Sequence, residues 1–193
     1  MSYDNYQALI FDMDGTVFDT EPAHVVAWNK ALANHGVNFE DYLFEALNGA
    51  PTGVIAKALI DHFDMSVDPQ QLAKEKTAIV DGFLLSHTTM LPIVDVIRQY
   101  HNKKPMALGT GSNRYLTMKL LAHFDLLDCF SAVVTADDVV NHKPAPDTFL
   151  KCAELLQVEP TKCVVFEDSD FGMTSAKAAG MAIVDVRPLY KKA

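Results

Sequence analysis

Five short apolar runs recur along the chain, at residues 8–11, 106–108, 132–134, 163–166 and 182–184. Each is too short for a helix and is bounded by Gly, Asp, Pro or Thr. Longer segments with apolar residues at three- and four-residue spacing separate the later runs, at 113–124, 147–156 and 170–179. Gly180 follows the last of these as a helix stop. Strands apolar on both faces, alternating with amphipathic helices, predict a parallel sheet covered on both sides.

The alternation breaks once. Between the first and second runs the sequence offers only helical patterns, at 22–35, 42–47, 54–63 and 69–86. Gly36, Gly49 and "DMSVDP" punctuate them. One crossover needs one helix, and 93–100 supplies it. The surplus reads as an inserted helical unit, a lid over the sheet, with Trp28 in its own core. The expected architecture is therefore α/β, a Rossmann-like parallel-sheet core domain with an inserted all-helical cap domain. The core takes residues 1–17 and 86–193, and the cap takes 18–85.

Composition narrows the function. A net charge of -9 argues against a nucleic-acid binder, which needs basic patches for phosphates. It leaves room for a small anionic substrate, since a metal or a few cations reverse the field inside one cleft. Cys129, Cys152 and Cys163 lie at no metal-ligand spacing and read as reduced thiols. No apolar run approaches the ~18 residues of a membrane span, and "MSYDNYQ" carries no basic leader. The expectation is a cytoplasmic protein without membrane contact, acting as a monomer. The ending "LYKKA" reads as a solvated tail.

Ligands of open parallel sheets bind beyond the carboxyl ends of the strands. After the first strand stand Asp12, Asp14, Gly15 and Thr16. After the second stands "GTGSN", with Thr110, Gly111 and Ser112. Lys143 in "HKPAPDTF" opens a helix after the third, and Glu167 and Asp168 follow the fourth. Four carboxylates in one crevice repel unless a cation sits among them. Only oxygen donors are offered, which selects a hard cation, Mg²⁺ above all. An aspartate beside Mg²⁺ and a lysine is suited to attack a phosphoryl group. Thr110 and the backbone N–H groups near Gly111 and Ser112 are placed to hold phosphate oxygens. Glu167 reads either as a ligand or as a carboxylate at a helix N-terminus, and Asp170 as a helix cap. Thr16 either closes the turn after Gly15 or touches substrate.

The stretches "DMDGTVFDTE", "LGTGSNR", "HKPAPDTF" and "VFEDSDFGMTSAKAAGM" resemble, in order, the four motifs of the haloacid-dehalogenase-like superfamily. The insert resembles the helical cap of its β-phosphoglucomutase-like subgroup. Together with "ALNGAPT" and "PLYK", the chain most resembles the bacterial fructose-1-phosphate phosphatase type. That resemblance implies that Asp12 is the nucleophile, forming an aspartyl-phosphate. It implies that Asp14 is the general acid, then the base for water, with its backbone carbonyl toward Mg²⁺. Asp168 would coordinate Mg²⁺ with Asp12, and Glu167 would be a ligand or lie beside the ligands. Thr110, Gly111 and Lys143 would bind the phosphoryl group.

In the cap, the resemblance places a substrate-facing histidine at His24, which otherwise reads as a solvated or core residue. Asn48 and Thr52, on the loop "LNGAPTG", are expected to point at substrate. Lys76 either reaches the cleft or lies on a solvated helix face, the commoner fate among Lys74, Glu75 and Lys76. One departure stands out. The mutase substrate loop carries an arginine for a second phosphate, and "GAPTGV" has none. The expected function is a Mg²⁺-dependent phosphatase of a small phosphosugar, fructose 1-phosphate first. A β-phosphoglucomutase-like mutase is the alternative. A 2-haloacid dehalogenase would need neither metal nor Asp14, and a non-catalytic phosphosugar sensor would not need the whole acid set.

Overall fold

The computed structural model describes residues 2–38 and 52–190. The chain enters through β1 (Ala8–Phe11), a two-residue β2 (Phe18–Asp19) and α1 (Glu21–Ala33). Beyond residue 51 come α2 (Thr52–His62), α3 (Pro69–Phe83) and a two-residue β3 (Thr89–Met90). Then α4 (Val94–Tyr100), β4 (Met106–Gly109), α5 (Arg114–His123), β5 (Ala132–Val134) and α6 (Asp147–Leu156) follow. The chain ends with β6 (Cys163–Glu167), α7 (Asp170–Ala178), β7 (Ala182–Asp185) and the single turn α8 (Arg187–Tyr190). The predicted helix at 42–47 and the loop residues Asn48 and Gly49 lie outside the described residues.

The apolar runs form one parallel sheet in the order β5-β4-β1-β6-β7. Every residue of β1, β4 and β6 is buried, as expected for central strands covered on both faces. Phe11 and Phe166 are register partners, and their rings stack 4.6 Å apart at 6°. Cys152 and Cys163 are buried in the same core, where burial pushes their thiols up to about 12 and about 11. At neutral pH these are inert packing groups. Among the described residues no helix is long and apolar enough to cross a membrane.

The strand order fixes where a site can form. From β1 the chain goes to β4 and β5 on one side, then returns to β6 and β7 on the other. The segments leaving the carboxyl ends of β1 and β6 therefore diverge. Such a switch point opens a crevice that no helix fills. Asp12 follows β1, and Glu167 ends β6.

The chain divides into two compact units, Met1–Asp19 with Met90–Ala193, and Thr20–Thr89. The seams fall at 19/20 and 89/90 rather than at 17/18 and 85/86. The chain leaves and re-enters the first unit at β2 and β3, which pair. Strands of two residues leave no periodicity to read in a sequence. The second unit has its own core, with Trp28, Leu32, Ile55, Leu59 and Leu72 from α1, α2 and α3. The side chain of Asp68 caps α3, accepting from the N–H groups of Gln70 and Gln71, and Pro69 occupies the first turn. The helix ends at Phe83, short of the 86 read from the sequence, and a 3-10 turn (Leu85–His87) follows.

Replacing Asp68 by Ala removes both cap bonds while leaving the packed face of α3 intact. Chemical denaturation should show a loss of about 1 kcal/mol in unfolding free energy, with an unchanged denaturant slope.

Candidate active site

Asp12 continues the ladder of β1, its N–H donating to the Phe166 carbonyl at 3.0 Å. The chain then turns sharply. Val17 and Phe18 both donate to the Met13 carbonyl, and Gly15 donates to Phe18. Gly15 adopts φ +79°, which a side chain would strain. There is also no room for one. A Cβ at Gly15 would lie 2.2 Å from Oδ2 of Asp168, so that carboxylate rests on bare backbone.

Lys143 is the hub. Its Nζ donates to Oδ1 of Asp12 at 2.6 Å and to Oε1 of Glu167 at 2.9 Å. The ammonium also lies 4.5 Å from the centroid of the Phe149 ring. Lys143 sits on the loop before α6, four residues ahead of the helix that the sequence placed it on. Burial alone would lower its pKa, but Asp12 and Glu167 hold it above the usual lysine range. It is therefore always cationic.

Glu167 is 1% exposed and fully engaged. Besides Lys143, its carboxylate accepts from the Ser169 N–H at 2.6 Å and from the Ser169 hydroxyl. Ser169 in turn caps α7 by accepting from Gly172 N–H. Asp170, the cap expected from the sequence, is instead the first residue of α7 and pairs with Arg187 at 3.0 Å. Asp170 lacks the extended backbone of a cap, which Ser169 has. A Cβ at Gly172 would fall 1.6 Å from Oε1 of Glu167. Glycine is thus required twice, at 15 and 172, by the close approach of a carboxylate.

Asp12, Glu167 and Asp168 each bring one oxygen within 4.8 Å of the others. Burial pushes Asp12 well above the normal carboxylate range; Lys143 opposes this, and Glu167, Asp168 and Asp14 add to it. Burial and Glu167 push Asp168 up to about 7, against the Thr16 hydroxyl, which donates to it at 2.9 Å. An oxygen-only set of crowded carboxylates fits a hard divalent cation.

Asp14 stands apart from that cluster. Its Oδ2 accepts from the Ser112 hydroxyl at 2.7 Å and from Thr110 Oγ1 at 3.3 Å. Thr110 is fixed by its N–H, which extends the β4–β5 ladder to the Val134 carbonyl. Its hydroxyl also accepts from Ser112 N–H. Gly111 is exposed between them. Asp12, Asp14, Thr110, Lys143, Glu167 and Asp168 thus meet at one end of the sheet. Ser112 and Ser169 escaped the sequence reading as partners of the acids. Their signal was only that a hydroxyl lies two residues beyond Thr110 and two beyond Glu167.

In the second unit, Lys76 is 3% exposed, so the solvated-face reading of that lysine is overturned. Its Nζ lies 2.5 Å from Nδ1 of His24 and 5.5 Å from the Trp28 ring centroid. An ammonium can only donate, so Nδ1 of His24 accepts. Thr52 begins α2 rather than lying in a loop, and it is half-buried.

A family model described as "Hydrolase: haloacid dehalogenase-like hydrolase" matches residues 6–180. Fructose-1-phosphate phosphatase YqaB of Escherichia coli (strain K12) is 52% identical over 187 residues, covering 97% of this chain and 100% of that one. Phosphorylated carbohydrates phosphatase of Thermotoga maritima is 30% identical, covering 91% and 82%. The crystal structure of β-phosphoglucomutase from Clostridium difficile superposes with a TM-score of 0.80 at 25% identity, covering 93% and 84%.

Two outcomes follow from this geometry. Gly172→Ala must displace the Glu167 carboxylate and with it Lys143; turnover should fall about a hundredfold, while circular dichroism keeps the fold. The second outcome concerns pH in the presence of a chelator. The unfolded Asp168 carboxyl titrates near 3.8 and the folded one near 7, so the folded state holds the extra proton between them. Stability is present below that window and is lost as pH rises through it. Thermal melts in EDTA should therefore drop from pH 5 to 7.5, and Mg²⁺ should abolish the drop.

Proposed function

The chain belongs to the haloacid-dehalogenase-like hydrolases, and from that membership we propose a Mg²⁺-dependent phosphatase of a small phosphosugar, fructose 1-phosphate first. The observation that carries this reading is the buried group of Asp12, Glu167 and Asp168 around Lys143, with Asp14 held separately by hydroxyls. The 52% identity to a fructose-1-phosphate phosphatase supports the substrate. We place the enzyme in the cytoplasm as a monomer, in keeping with its three free cysteines.

Asp12 and Asp168 would hold the cation, with Glu167 beside them and the Asp14 backbone carbonyl completing the protein's share. Bound there, Mg²⁺ would supply positive charge against the phosphoryl oxygens. Asp12 attacks phosphorus through a carboxylate oxygen as the bond from phosphorus to the sugar oxygen breaks. Asp14 gives its proton to that leaving oxygen. The carboxylate of Asp14 then takes a proton from water, which attacks the aspartyl-phosphate and returns Asp12 and free phosphate. Lys143, Thr110 and the Gly111 backbone bind the phosphoryl oxygens through both steps.

Selection among sugars is assigned to the helical unit. The buried Lys76 and the half-buried His24 form a polar pair there, and Thr52 and Asn48 complete the set proposed to read hydroxyls. Loss of an expected hydroxyl contact leaves such groups unpaired, which is how a pocket rejects a near relative.

Phosphorus NMR tests the reading. With Mg²⁺ and fructose 1-phosphate, free phosphate should be the only new signal, and EDTA should suppress it. Asp12→Asn should lower turnover by about a thousandfold or more. β-Glucose 1-phosphate turning into a 6-phosphoester with little free phosphate would mean a mutase instead. Turnover retained in EDTA would overturn the metal.

A further inference from the structure

Residues 185–190, the last two of which open the stretch "LYKKA" read from the sequence as a solvated tail, are stitched onto the acid cluster. Val186 N–H donates to the Glu167 carbonyl at 3.0 Å. Arg187 forks onto Asp185, with Nε 2.9 Å from Oδ1 and Nη2 2.7 Å from Oδ2. Its Nη1 reaches Asp170 at 3.0 Å. One turn of helix later, the Tyr190 hydroxyl donates to the Thr16 carbonyl at 2.6 Å.

Thr16 is the link to the site. It is fully buried, and its hydroxyl donates to Oδ1 of Asp168. The neighbouring Gly15 backbone is the surface against which Asp168 lies. A displacement of residues 15 and 16 therefore moves Asp168 directly. Tyr190 holds that short segment from its other side. The phenol feels the charges of Asp168 and Asp12, and burial with those charges raises its pKa, so it stays a donor. The sequence gives this residue no role beyond its place in "PLYK", and no proton of the proposed reaction passes through it.

We propose that Tyr190 is a positioning residue for the carboxylate cluster: by holding the Thr16 carbonyl it keeps the Thr16 hydroxyl on Asp168 and fixes that carboxylate for a divalent cation. This rests on the metal assigned under the proposed function. It makes affinity for the cation, rather than the chemical step, the quantity that the C-terminal turn controls.

Tyr190→Phe keeps the ring and deletes only the hydroxyl. Mn²⁺ is the probe, its free concentration read by electron paramagnetic resonance on the purified full chain. Tyr190→Phe and Thr16→Val should each weaken Mn²⁺ binding about tenfold, the scale of one lost buried hydrogen bond. The double variant should lose no more than the worse single one, because both act through one chain of contacts. The Mg²⁺ midpoint for activation should shift by the same factor, with kcat at saturating Mg²⁺ within about threefold of the parent. A purely structural role would lower the melting temperature in EDTA and leave Mn²⁺ affinity alone. Parent-like Mn²⁺ binding in Tyr190→Phe, or additive losses in the double variant, would overturn the inference. A parent chain that binds no Mn²⁺ would overturn the metal assignment and this inference together.

Discussion

Crowded like charge is the constraint on which the rest of this structure depends. Among the described residues, Asp12, Glu167 and Asp168 converge with one ammonium, Lys143, paired with two of them. Three negative charges against one positive leave two negative charges out of balance in a desolvated place. Part of that imbalance is met by keeping protons, which is why Asp12 and Asp168 titrate high. A divalent cation meets all of it. The pairing of Lys143 with two carboxylates is costly to bury and costly to break, since removing one partner strands the others.

The fold serves this cluster at each level. The sheet order puts the ends of β1 and β6 side by side at a switch point, so two acids arrive from adjacent strands. The bare backbones at Gly15 and Gly172 let Asp168 and Glu167 approach closer than any side chain would permit. Ser169 caps α7 and donates to Glu167 with the same hydroxyl, so helix start and acid position are one feature. The Asp14 carboxylate accepts from two hydroxyl donors on the loop after β4. Two acids one residue apart are thereby given different environments, the arrangement that sets two carboxyls to separate tasks in the proposed reaction.

Much of this was legible in the sequence. Strands buried on both faces announce themselves as unbroken apolar runs, and acids directly after them stand out because burial makes them expensive. What escaped was set by contacts between distant segments. Lys76 looked solvated among Lys74 and Glu75, yet it is buried beside His24 and Trp28, partners about fifty residues away. Asp170 has the right chemistry for a cap, but Ser169 takes the position because the backbone extends there. Tyr190 reads as tail, since nothing in "LYKKA" foretells a carbonyl at Thr16. The strands β2 and β3 are too short to carry a pattern.

The most direct measurement is calorimetric titration of Mg²⁺ into the protein at pH 7, repeated in buffers of different ionisation enthalpy. Carboxyls that hold protons against their neighbours must give them up as the cation enters. One ion bound per chain with net proton release, lost in Asp168→Asn, is the expected result. Tight Mg²⁺ binding with no protons released, or binding undiminished in that variant, would contradict the central role given to the crowded carboxylates.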